Sequence, residues 1–122
     1  MKKYPKIHLP SKANKSERYY EDKTYWYVQD LWEASEDLEI FEIPLMAINM
    51  SCSRYLADSI HDLAWQMKRV INTDLSYPIL LTPDGSICDG VHRVTKATYL
   101  GKTTIKAKRF KNMPQSFKDE DE

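Results

Sequence analysis

The chain has 122 residues, room for one domain with a modest core and no need of covalent staples. Aliphatic and aromatic residues make up 42% of it, and no apolar run approaches the ~20 residues needed to cross a bilayer, which excludes a membrane-spanning helix. Its 18 basic and 18 acidic side chains cancel, which argues against an overall electrostatic grip on nucleic acid or anionic lipid.

Residues 1–20 are polar and basic, carry Pro5 and Pro10, and lack both sustained periodicity and the apolar stretch of a secretion signal. They read as an arm, and the protein is expected to be cytoplasmic. Between 24 and 39, Tyr25, Val28, Leu31, Trp32 and Leu38 recur near helical spacing, with Asp22 or Thr24 available as N-cap, so a helix is predicted there. Its surroundings are acidic: residues 21–42 hold eight carboxylates against Lys23 alone. Over 40–50, Phe41, Ile43, Leu45 and Ala47 alternate as in a half-buried strand, and Pro44 places that strand at a sheet edge.

Ser53 can cap a long helix over 53–71, in which Leu56, Ile60, Leu63, Ala64, Met67, Val70 and Ile71 form one stripe. The stripe is expected to be buried against a sheet. Next, Ile79-Leu80-Leu81 and Ser86-Ile87-Cys88 read as a hairpin turning at Thr82-Pro83-Asp84-Gly85. A helix over 91–100 follows, with Val94, Ala97 and Thr98 inward and Gly101 as terminator, then a strand over 103–110 with Ile105 and Ala107 inward. Residues 113–122 have the composition of a disordered acidic tail. The predicted class is therefore α+β, a small mixed β-sheet packed by helices, with its domain at 21–112. Cys52 and Cys88 are too few for a disulfide framework and have no histidine at metal-ligand spacing, so no metal site is expected.

Chemistry concentrates at Asp89-Gly90-Val91-His92-Arg93. A helix start offers unpaired N–H groups and partial positive charge, and a glycine there lets an anion come close. His92, Arg93 and Lys96 would oppose the helix dipole unless an anion is bound, so the placement suits a phosphate site. The alternative reading is that Asp89 caps the helix and Arg93 pairs with it or with the acidic helix.

The string Pro78-Ile-Leu-Leu-Thr-Pro-Asp-Gly-Ser-Ile-Cys-Asp-Gly-Val-His-Arg-Val-Thr-Lys-Ala97, set between a strand with a long helix and a final strand, resembles the ParB/sulfiredoxin-like superfamily over residues 41–110. That resemblance implies a nucleotide ligand, ATP or another, with Mg²⁺, held by Ser59, Gly90, Val91, His92, Arg93 and Lys96. Ser59 has a second reading, a serine bonded to its own helix backbone. Three departures narrow the activity. Val91 stands where sulfiredoxins carry their reactive cysteine, so sulfinic acid reduction is not expected. Val91-His92-Arg93 replaces the Glu-Arg-Arg of the partition proteins, and with 12 residues after Phe110 their helix-turn-helix module is not expected. Other members that resemble this chain are small kinases with an Asp-Gly-x-His-Arg helix start. Their chemistry needs a carboxylate base or metal holder, for which Asp84, Asp89, Glu42 and Glu39 are candidates, with His92 as a further catalytic candidate.

Three functions stay open on the sequence. The leading one is a nucleotide-binding domain with phosphotransfer or nucleotide-hydrolysing activity. A DNA-binding or nuclease-like protein would use the basic arm and residues 93–111, which hold seven Lys/Arg and no acid. A non-catalytic protein-interaction module would use the acidic 21–42 face with Trp26, Tyr27 and Trp32.

Overall fold

A computed structural model describes residues 17–50 and 58–118. The elements are β1 (Arg18–Glu21), β2 (Thr24–Tyr27), α1 (Val28–Ala34), β3 (Phe41–Pro44), a 3-10 turn (Leu45–Ala47) and α2 (Ile60–Asn72). They continue with β4 (Ile79–Leu81), β5 (Ile87–Asp89), α3 (Val91–Tyr99), β6 (Thr104–Arg109) and β7 (Phe117–Lys118). The fold is α+β, and it divides into two compact units: residues up to Asp37 together with Met113–Glu122, and Leu38–Asn112.

In the first unit, β1 and β2 form a tight antiparallel hairpin around Asp22, which takes the left-handed conformation (φ 60°) that a short polar side chain tolerates. The predicted helix over 24–39 is corrected here. Thr24-Tyr25-Trp26-Tyr27 is β-branched and aromatic, a composition that favours a strand paired with a similar neighbour, and only Val28–Ala34 is helical. The predicted disordered tail is also corrected within its described part. Phe117–Lys118 pairs with β2, and the indole Nε1 of buried Trp26 donates to the Pro114 carbonyl at 2.8 Å. The second compact unit begins at Leu38, inside the span expected as one domain over 21–112.

The second unit holds a four-stranded mixed sheet in the order β3-β6-β4-β5, with β4 parallel to β6 and the other pairs antiparallel. Pro44 sits on edge strand β3, where its missing N–H costs no ladder bond. The strand expected over 40–50 stops there, and the chain turns into the 3-10 segment with the Leu45 N–H donating to the Thr103 carbonyl. The core is Ile43, Leu45, Ile48, Ile79, Leu81, Val94, Ala97, Ile105 and Ala107. Helix α3 contributes Val94 and Ala97, while Thr98, expected inward, is exposed and returns its hydroxyl to the Val94 carbonyl. The helix stops as predicted: Gly101 (φ 77°) donates to the Thr98 carbonyl and Lys102 to that of Ala97, a two-bond left-handed cap.

The long helix differs most from expectation. It begins at Ile60 with Ser59 as N-cap, the Ser59 hydroxyl accepting from the Asp62 N–H at 3.0 Å, while Ser53 and Leu56 lie outside the described residues. None of its side chains is buried: Ile60 is 87% exposed, Leu63 51% and Met67 53%. The 3.6-residue pattern defines an apolar face but does not supply a sheet to cover it. What α2 packs on is α3, along one side of its stripe.

Candidate functional site

The start of α3 is shaped by Gly90. It is the N-cap in a left-handed conformation (φ 118°) and follows directly on Asp89, the last residue of β5. A Cβ at Gly90 would fall 2.6 Å from Ile79 Cγ2, so this glycine is demanded by the approach of the helix start to β4. The first intrahelical bond runs from the Val94 N–H to the Gly90 carbonyl, leaving the N–H groups of the first turn directed off the helix end.

The three basic side chains the sequence placed at this end do not converge on one point. His92 turns toward α2, its Nε2 lying 2.7 Å from Gln66 Oε1. Arg93 donates through Nη1 to the Pro78 carbonyl, and its Nε is buried with no acceptor. Lys96 donates to the Ile71 and Thr73 carbonyls at 2.8 Å each, capping the C-terminus of α2 and complementing its dipole. Ser59 caps the other end of α2, roughly 10 Å along the axis from Gln66 at 1.5 Å per residue.

The catalytic candidates also separate. Asp84 lies in the β4–β5 turn, held by the Thr82 hydroxyl and the Ser86 N–H, and the Thr82 hydrogen bond is the main cause that lowers its carboxyl below the usual range. Glu42 accepts from the Thr104 hydroxyl at 2.7 Å on edge strand β3, three strand spacings, about 14 Å, from β5. Glu39 precedes β3. Asp89 and His92 are the two that stand at the α3 start. No group of three or more His, Cys, Asp or Glu able to hold a metal occurs among the described residues.

Between α2 and α3 runs a half-open groove of about 390 Å³. Leu63, Gln66, Met67, Val70 and Ile71 form one wall, and Val91, His92, Thr95 and Tyr99 the other. Its volume, its apolar lining and its few polar groups match those of small-molecule sites. Sequence reasoning named Val91 and His92 but passed over Gln66, Thr95 and Tyr99. The i, i+4, i+8 spacing of Val91, Thr95 and Tyr99 was the available signal, since it puts all three on one face of α3.

Burial, reinforced by the charge of Arg69, lowers the His92 pKa from its ordinary 6.5. As pH falls through the unfolded value near 6.5, the unfolded chain takes up a proton that the folded chain does not, so stability is lost on the acid side. His92→Gln keeps a partner for Gln66 and removes this titration. Its melting temperature should fall less than that of the parent between pH 7.5 and pH 5. Equal falls would show that His92 carries its proton in both states alike.

Comparisons with family models, with curated proteins and with solved structures return no match for this chain. Among the described residues no helix is long and apolar enough to cross a membrane.

Proposed function

We propose that the Leu38–Asn112 unit is a nucleotide-binding domain of the ParB/sulfiredoxin-like kind, with its ligand in the groove between α2 and α3. The observation that carries this reading is the opening of an apolar groove at the first turn of α3, where Val91 and His92 are part of the wall. Such a groove suits a planar base between Met67, Ile71 and Tyr99, and the partial positive charge of the α3 helix start suits the phosphate. Arg93 adds to this. An Nε–H shut away from water without an acceptor costs on the order of 1–3 kcal/mol, a cost relieved when the guanidinium turns to an anion.

Thermal shift across ATP, ADP, GTP, CTP and inorganic phosphate, each with and without Mg²⁺, tests the reading. At ~100 times its dissociation constant a ligand adds about 2.7 kcal/mol, several degrees for a domain of this size. Thr95→Trp fills the groove from an exposed position and should abolish the shift while leaving the ligand-free melting temperature unchanged. No shift with any nucleotide, or a full shift in Thr95→Trp, overturns it. Phosphotransfer additionally requires a carboxylate, and Asp89 is the one at the helix start. Asp89→Asn should then keep the nucleotide shift and stop phosphate release, whereas a parent protein that binds without turnover is a binding domain.

A further inference from the structure

The nucleotide reading uses the groove and leaves the outer face of α2 unexplained. The partly buried side chains within α2 are Asp62, Gln66 and Val70, four residues apart along one edge, where Gln66 meets His92 of α3. Ile60, Ala64, Met67 and Ile71 are turned away from that edge. At 3.6 residues per turn these four fall in a strip about 60° wide, and all of them are exposed, Ile60 at 87% and Ile71 at 64%. Leu63 and Val70 lie between the strip and α3, on the groove side. A helix made only to cover its own unit turns its apolar strip inward, and α2 turns in its Asp–Gln edge instead.

The strip is uncharged. Of the titratable residues of α2, Asp62 and Arg69 stand on the back of the helix, and His61 and Lys68 stand at the margin away from the groove. Ile60, Met67 and Ile71 alone leave on the order of 400 Å² bare, the size of the largest apolar patch on a typical monomer. With Ala64 and the Lys68 stem, two such strips laid together cover roughly 1,000 Å² in all, the area at which a contact between chains becomes specific.

We propose that a second copy of this chain covers the strip, the two α2 helices packing antiparallel about a two-fold axis. The sequence of the strip complements itself when reversed. Antiparallel pairing about the midpoint between Ala64 and Met67 sets Ile60 against Ile71 of the second copy, and Ala64 against its Met67, so a small side chain receives a large one at the crossing. Lys68 then comes over His61 of the second copy. Parallel pairing would instead set Met67 on Met67 and Lys68 on Lys68. An unrelated partner would have no need of a strip that matches itself. Leu63 and Val70 stay with the groove, so this pairing is independent of the nucleotide reading.

Sedimentation equilibrium on the full chain without nucleotide tests the proposal, and a monomer–dimer equilibrium is expected. Ala64→Glu and Met67→Lys each put a charge at an exposed position, where far-UV circular dichroism should match the parent, and each should raise the dimer dissociation constant at least about tenfold. An equimolar mixture of the two variants should recover the dimer, since antiparallel pairing sets the new glutamate of one copy on the new lysine of the other. That recovery also shows that both variants are folded. A parent that stays monomeric at every concentration, or a dimer that both variants leave intact, overturns the proposal. Two monomeric variants that do not recover on mixing overturn the antiparallel register.

Discussion

Gly90→Ala should be among the most damaging single substitutions in the chain, costing roughly 2–6 kcal/mol. Two terms add. The left-handed φ of 118° costs a residue with a Cβ about 1–3 kcal/mol, and driving that Cβ into the Ile79 side chain costs about 1–3 more. Ile79 is fully buried on β4, so it cannot swing aside, and the helix start must move instead. Gly101→Ala is the control, since its φ is also positive at 77° but its Cβ would meet nothing within 4 Å. It should cost only the conformational term, about 1–2 kcal/mol. Urea unfolding of the two variants gives the comparison. Similar losses for both would show that the close contact at Ile79 is absorbed.

Leu81→Ala should lower stability by about 2–5 kcal/mol, whereas Leu63→Ala should lower it by less than about 0.5. Leu81 is fully buried on β4, inside the core formed with Ile43, Ile79, Val94, Ile105 and Ala107. Leu63 is 51% exposed on the wall of the groove, so truncation leaves a wider groove and no cavity. This reverses the expectation drawn from the helical stripe, which made Leu63 a core residue. A large cost at Leu63 in equilibrium unfolding would mean that something covers the α2 face in solution. A small cost at Leu81 would mean that the sheet is not the centre of the unit.

By itself the sequence determined the elements whose cause is local. The 82–85 turn, the positive φ at Gly85 and Gly101, the span of α3 and the alternation along β6 follow from proline, glycine and spacing, and each stands where it was expected. Pro44 on an edge strand is of the same kind, because a missing N–H is a property of one residue. Pairing decided the rest. Thr24-Tyr25-Trp26-Tyr27 carries a near-helical apolar spacing, yet it is a strand because β1 and β7, one of them some ninety residues distant, supply its hydrogen bonds. Sequence periodicity cannot register a partner so far along the chain. The fates of Arg93 and Lys96 are tertiary in the same sense. Both follow a helix start that invites an anion, but the carbonyls of Ile71, Thr73 and Pro78 are brought beside them by the return of the chain after α2. Amphipathicity in α2 specified which face is apolar. Only the packing of α3 along one side of that face left the remainder open as a groove, since a helix touching one neighbour covers a part of its stripe and no more.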